Sequence, residues 1–330
     1  MAIDWPALVH LVRSHERFLL TSHIRPDCDA LGSELGMAGI LRALGKDVLV
    51  VNAQATPPNL AFLDPHRQIL TLGSDIQVGQ LADRQLLIVL DTSAWVQLGA
   101  MAEVVKTTRA HKVILDHHLS ADDLQAVAFK DASAEATGRL VVEAADQLGV
   151  PLNAEIARPL YAALATDTGW FRFGSTRSDT YRLAARLVDA GADPAGIYAD
   201  LYEQETLARC RLRGVILSRL QTELDGRLVY TYVRAQDFRE IGALAQDTED
   251  AINLSLAIAG TRFAVIFVEQ PTGGCKLSFR SRCAVDCSQI AATFGGGGHK
   301  AAAGAFLDEP FEVAQSKVLE HVRQAMANGN

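Results

Sequence analysis

Hydrophobic and polar positions follow two rhythms in the first half of the chain. Short, nearly unbroken apolar runs at Phe18-Leu-Leu-Thr-Ser22, Asp47-Val-Leu-Val-Val51, Leu86-Leu-Ile-Val-Leu90 and Val113-Ile-Leu115 read as buried strands. Between them, Ala30–Leu44 spaces its apolar residues at helical intervals, Gly45 is placed to end that helix, and a second helical stretch covers about 95–109. Pro57-Pro58 begins a surface loop. This strand–helix–strand repetition implies a mostly parallel, Rossmann-like sheet covered on both faces. Helical spacing then dominates, over Gly138–Leu148, Glu155–Ala165, Asp179–Ala190 and one long helix from Tyr198 to Leu220. From Arg227 the pattern changes to strands at Arg227–Val233, Thr261–Glu269 and Lys276–Arg280, with helices near 248–259 and 285–293. The expected fold is α/β: an N-terminal domain over 1–190, a helical linker over 191–222, and a smaller C-terminal α/β domain over 223–330.

Composition narrows the class without naming a function. At 330 residues the chain exceeds a comfortable single core, which agrees with two domains. A formal net charge of -8 argues against a general binder of long or duplex nucleic acid, which presents a dominant basic surface. A small anionic substrate is still allowed, because bound cations and a few arginines reverse the local sign. Cys28, Cys210, Cys275, Cys283 and Cys287 contain no C-x-x-C pair, and their odd number argues against a disulfide framework. No secretory signal opens the sequence, so reduced thiols in the cytoplasm are expected. The longest apolar stretch, Leu254–Val268, is interrupted by Thr261-Arg262 and is too short to span a membrane.

The chemistry lies at the strand ends. His23-Ile-Arg-Pro-Asp27-Cys-Asp29 follows the first strand, Asp91-Thr92-Ser93 the third, and Asp116-His117-His118 the fourth. Thr166-Asp167-Thr168-Gly169 ends a helix rich in alanine and leucine. Side chains just past the carboxyl ends of neighbouring strands meet in one crevice, and carboxylates mixed with imidazoles there suit divalent metal. Each segment also has a plainer reading. Asp27 and Asp29 serve equally well as caps of the following helix, and Asp91 as a turn or N-cap residue. Two adjacent histidines behind an aspartate are harder to account for, because each buried ring needs hydrogen-bond partners. Asp167 opposes the dipole of its own helix, which calls for a compensating cation.

These segments resemble the motifs of the DHH family of phosphoesterases, whose name matches the triplet Asp116-His117-His118. The resemblance extends over essentially the whole chain and covers Ser22-His23-Ile-Arg-Pro-Asp27-Cys-Asp29-Ala30-Leu-Gly32-Ser33, Asp91-Thr92-Ser93, the triplet itself and Thr166-Asp167-Thr168-Gly169. It implies two divalent ions. His23, Asp27 and Asp91 would hold one, and Asp29, Asp91, His117 and Asp167 the other, with Asp91 bridging and Asp116 supporting the cluster. His118 would face the substrate phosphate. Manganese is the family's usual ion, and magnesium is compatible with the same donors. The sequence departs from the family pattern at Cys28, between the two aspartates, and in the apolar stretch Ser93-Ala-Trp-Val-Gln-Leu-Gly99.

A second signal is Phe294-Gly-Gly-Gly-Gly-His299-Lys300-Ala-Ala-Ala-Gly304. Consecutive glycines let a backbone approach an anion and turn N–H groups toward it. The nominal dinucleotide fingerprint inside this run fails, because a helix-like segment precedes it instead of a strand. Together with Arg280-Ser281, the run resembles the C-terminal domain associated with the DHH family, which binds the nucleotide portion of the substrate. Arg280, Ser281, Gly297, His299 and Lys300 are therefore expected substrate contacts. Arg172 is left between a substrate contact and a packing role.

Length and layout are most similar to family members that trim very short RNA and dephosphorylate 3′-phosphoadenosine 5′-phosphate (pAp). Two-metal activation of water is the implied reaction. A phosphodiesterase of cyclic or linear dinucleotides is the alternative within the family. A non-catalytic nucleotide-binding module is the alternative outside it, weakened by the complete set of aspartates. The expected partners are short RNA or a small nucleotide. Relatives often form homodimers, although no heptad or apolar patch in the sequence marks an interface.

Overall fold

The computed structural model describes residues 3–119 and 121–328. They divide into two compact units, one ending at Gln204 and the other beginning at Glu205. The first contains α1 (Trp5–Ser14), β1 (Arg17–Thr21), α2 (Cys28–Ala43), β2 (Asp47–Asn52), β3 (Ile69–Thr71), β4 (Leu86–Leu90), α3 (Met101–Thr107), β5 (His111–Asp116), β6 (Val127–Lys130), α4 (Thr137–Leu148), α5 (Ala154–Asp167), α6 (Ser178–Asp189) and α7 (Pro194–Tyr202). Its sheet runs β3-β2-β1-β4-β5-β6, and every neighbouring pair is parallel. Strands buried on both faces need apolar residues at every position, which is why the runs of β1 and β4 do not alternate with polar residues. Phe18, Leu20, Ile88 and Leu90 pack on one side with α2, α4 and α5. Leu19, Leu87, Val89 and Ile114 pack on the other with α3. Each such side chain removed from water contributes roughly 1.5–3 kcal/mol.

The second unit contains α8 (Leu207–Ser218), β7 (Gln221–Glu223), β8 (Leu228–Val233), α9 (Ala235–Ile241), α10 (Ile252–Leu256), β9 (Phe263–Glu269), β10 (Cys275–Ser281), α11 (Cys287–Thr293), β11 (Gly297–His299), β12 (Ala302–Leu307) and α12 (Phe311–Asn328). Its sheet order is β11-β12-β10-β9-β8-β7, antiparallel except for the β8–β9 pair. Phe263, Val265 and Phe267 face α11 and α12, while Ala264, Ile266 and Val268 face α8 and α10.

Two expectations are corrected. The long helix over Tyr198–Leu220 is two helices, α7 and α8. Its apolar residues serve different cores: Leu201 packs against the first, and Leu212 and Ile216 belong to the second. Thr206 restarts the helix by accepting a hydrogen bond from Arg209 N at 3.1 Å, an N-cap in the middle of the expected span. The helical stretch over 95–109 likewise breaks into a short 3-10 turn, Trp95–Gln97, and α3. Among the described residues no helix is long and apolar enough to cross a membrane, and all five cysteines are free.

Candidate metal centre

In the first sheet the strand order reverses between β1 and β4, and sheets of this kind bind ligands beyond the carboxyl ends of the strands at that switch. β1 leads there into Ser22 and His23, β4 into Asp91, and β5 ends on Asp116 before His117 and His118. Asp27 N-caps α2, its Oδ1 accepting from Asp29 N and Ala30 N at 3.0 Å. The capping reading of this residue is therefore realised, and its carboxylate also lies 3.9 Å from His23 Nε2. Asp91 sits at φ 60°, a left-handed turn that folds the chain back from β4.

Helix packing completes the crevice. Gly32, Gly36 and Gly39 form one face of α2, set against Pro159, Leu160 and Ile156 of α5. A Cβ on Gly32 would stand 2.3 Å from the Pro159 carbonyl oxygen, so the two helices approach as closely as backbone allows. This contact brings Asp29, at the start of α2, toward Asp167, at the end of α5.

The donors converge around Asp91. His23 Nε2 is 3.4 Å from Asp91 Oδ2, and His117 Nε2 is 3.6 Å from Asp91 Oδ1. His117 Nε2 also lies 3.7 Å from Asp29 Oδ2 and 3.4 Å from Asp167 Oδ2. Donors bound to one ion at about 2.0–2.2 Å sit roughly 3–4 Å apart. Both rings point the correct nitrogen inward. His23 Nδ1 faces the Ile24 carbonyl at 3.0 Å and His117 Nδ1 the Ala134 carbonyl at 3.2 Å, which leaves each Nε2 lone pair aimed at carboxylates. Lone pairs pointed at anions require a cation or a proton between them. The residues therefore fit divalent metal in three overlapping groups, His23–Asp27–Asp91, Asp29–His117–Asp167 and Asp91–His117–His118. Asp29 and Asp91 form the buried floor, while Asp27 and Asp167 stand at the exposed rim.

Protonation in the metal-free cluster reflects the same demand. Burial, then the charges of Asp91 and Asp167, push the Asp29 carboxyl well up, against hydrogen bonds from Gly138 N and Thr137 N. Asp167 is pushed up to about 6 by burial, then lowered by His117 and raised again by Asp91 and Asp27. Burial works against a charged His23 ring, but Asp91, the Ile24 carbonyl and Asp27 outweigh it and lift the ring to about 9. Protons are retained where cations would otherwise sit.

Asp116 behaves differently. Although burial opposes its charge, hydrogen bonds from His118, Lys130 and Ser93 hold it below the usual carboxylate range. Lys130 Nζ is 2.9 Å from Asp116 Oδ2, and Ser93 Oγ donates to the same oxygen at 2.8 Å. The other oxygen lies 2.8 Å from His118 Nδ1 and accepts from His118 N at 3.0 Å. That bond to Asp116 raises the His118 ring above its ordinary pKa. With Nδ1 engaged, Nε2 is the nitrogen of this half-exposed ring left for other work.

In the second unit, Arg280 and His299 pair on either side of Ala302 in adjacent strands, so both stand on one face of the sheet. Lys276, Ser278 and Arg280 line a hollow of about 630 Å³ on that face; sequence reading missed Lys276 and Ser278. Ser281 alternates to the opposite face, where it is buried and its hydroxyl accepts from Cys283 N at 3.2 Å. Lys300 lines a different hollow, with Asp286, Gln289 and His321. Gly297 lies exposed in β11, the short strand that the glycine run forms against β12.

Residues 17–164 match the DHH family, N-terminal domain, and residues 225–328 match the DHHA1 domain. The chain belongs to the DHH family. It is 34% identical over 310 residues to the bifunctional oligoribonuclease and PAP phosphatase NrnA of Thermus thermophilus, covering 93% of this chain and 89% of that one. The protein of the same name from Bacillus subtilis is 26% identical over 305 residues, covering 90% and 91%. A crystal structure of an exopolyphosphatase-related protein from Bacteroides fragilis superposes with a TM-score of 0.80 at 25% identity, covering 98% of this chain and 95% of that one.

Proposed function

We propose that this chain hydrolyses phosphoester bonds in short oligoribonucleotides and in pAp. The observation that carries the reading is likeness along 93% of the chain to an enzyme of that name, with both histidines and all four aspartates of the cluster in place. His23, Asp27 and Asp91 would hold one divalent ion, and Asp29, Asp91, His117 and Asp167 a second, manganese before magnesium. Bound there, such ions act as Lewis acids on phosphoryl oxygens and lower the pKa of a bound water.

The chain's own part is orientation and proton control. Lys130 and Ser93 fix one oxygen of Asp116, and the other fixes the His118 ring. His118 Nε2 then faces the substrate, where a protonated ring stabilises or protonates the departing ribose oxygen. Arg280 and His299 bind the nucleotide portion through one face of the second sheet, with Gly297 on the same short strand as His299, while Ser281, buried on the opposite face, and Lys300, at a separate hollow, stand apart from them. The domain division we adopt is a catalytic unit over 1–190, a linker over 191–222 and a substrate-binding unit over 223–330. The enzyme works in the cytoplasm, and a second copy of the chain is its expected protein partner.

The test is hydrolysis by metal-stripped protein, with and without manganese, of pAp, a linear dinucleotide, a cyclic dinucleotide and a 20-mer RNA. Manganese-dependent cleavage of pAp and the linear dinucleotide is the expected result. Preference for the 20-mer or the cyclic dinucleotide sinks the substrate assignment. No cleavage of any of them by folded, metal-loaded protein sinks the enzyme.

A further inference from the structure

Just past Asp167 the backbone takes three consecutive left-handed residues, Gly169, Trp170 and Phe171, at φ of 57°, 57° and 63°. Glycine adopts this region freely, but L side chains crowd the following carbonyl there, so two ring-bearing residues in succession are strained. The surrounding helices hold them in place. Trp170 packs edge-on against Tyr161, Tyr198 and Tyr202, at ring-centroid distances of 6.3, 5.0 and 5.7 Å. Phe171 stacks on Tyr181 at 5.4 Å. The Thr168 carbonyl accepts from both Arg172 N and Phe173 N at 3.0 Å and closes the turn.

With those two rings anchored, the next two side chains face out. Arg172 is exposed and engages its Nε, which donates to the Gly169 carbonyl at 2.7 Å. Its two Nη groups have no hydrogen bond or ion pair among the described residues. The Phe173 ring lies across the Gly169 Cα so closely that a Cβ there would meet its Cζ at 2.4 Å, yet the residue is 54% exposed. A purely apolar partner would cover the ring and desolvate the guanidinium without pairing it. A purely anionic ligand would pair the guanidinium and leave the ring in water. A nucleotide meets both demands, because every base has a π-face and a guanidinium fork matches phosphate.

We propose that Arg172 and Phe173 form a nucleotide subsite of the first unit, with a base stacked on the Phe173 ring and a phosphate held by Arg172. The ligand class is taken from the substrate reading above, which this subsite deepens. The strained turn, which begins two residues after Asp167, holds the pair in position before ligand arrives.

The test is calorimetric titration of AMP and of ribose 5-phosphate into the full chain, as wild type, Phe173→Ala, Phe173→Trp and Arg172→Gln. Phe173→Ala should weaken AMP by about tenfold, leave ribose 5-phosphate unchanged, and be rescued by Phe173→Trp. Arg172→Gln should weaken both ligands. Unchanged AMP affinity in Phe173→Ala, equal weakening of both ligands by it, or absence of AMP binding to wild type overturns the subsite. Turnover of pAp and short RNA by wild type is scored separately. An inactive wild type whose AMP affinity depends on Phe173 retains the subsite and loses the substrate reading. An active wild type whose AMP affinity ignores Phe173 loses only the subsite.

Discussion

His118 depends on a residue it does not touch. Lys130 neighbours Asp116 across the β5–β6 pair, so its ammonium offsets charge on the oxygen that His118 does not use. Replacing His118 with Ala should lower turnover by roughly 10²–10⁴-fold while bound manganese, measured by elemental analysis, stays constant. Loss of metal on that change would make the ring a ligand instead. A second buried group works through protons. Glu34 is fully buried, Asn52 Nδ2 donates to its Oε2 at 2.8 Å, and its Oε1 has no hydrogen-bond partner among the described residues. Burial, only partly offset by Asn52 and His23, lifts its pKa from 4.5 to about 8. The folded state therefore binds more protons than the unfolded chain between those values, and stability falls as pH rises across that window. Urea unfolding of metal-free protein near pH 5 and pH 9 should show a smaller loss in Glu34→Gln than in wild type, by on the order of a few kcal/mol. Equal losses would show that Glu34 is not the titrating group. The six metal-ligand candidates were legible in the sequence because their segments follow strands or end a helix and together resemble the motifs of the DHH family. Lys130 and Glu34 carried no such mark, since their partners are brought to them only by sheet pairing and helix packing.

The α2–α5 contact is what an element contributes to this site. Its close face, Gly32-Gly36-Gly39, is only weakly legible in the sequence, where isolated glycines lower confidence in a helix and say nothing of what they touch. Gly32→Ala should gain about 1 kcal/mol in helix propensity. The clash with a carbonyl fixed in α5 should cost more, on the order of 2–3 kcal/mol. The net expectation is a less stable protein with weaker manganese binding, read by urea titration and calorimetry. A more stable variant with unchanged metal affinity would show that the helices separate at no cost. The same gap between pattern and packing explains the misread helix at Tyr198–Leu220. The span is charged and only weakly interrupted at Glu203–Thr206, but the two halves pack on different cores. Strands β11 and β12 were unreadable for another reason: glycine and alanine give no apolar alternation.

At the scale of the molecule, each unit closes its own hydrophobic core. Scanning calorimetry should accordingly resolve two unfolding transitions. Manganese at about 100 times its Kd should stabilise the first unit by about 2.7 kcal/mol and leave the second where it was. One transition that moves as a whole would show the units to be thermodynamically coupled.

The Asp167 corner of the cluster has a consequence for biosynthesis. The other donors lie between His23 and His117, and all are translated well before the end of α5. A nascent chain can pair β1, β4 and β5 while the fourth corner is still inside the ribosome. The Asp29–His117–Asp167 group is thus completed only when α5 has been made, whereas the His23–Asp27–Asp91 group has all its donors much earlier in synthesis.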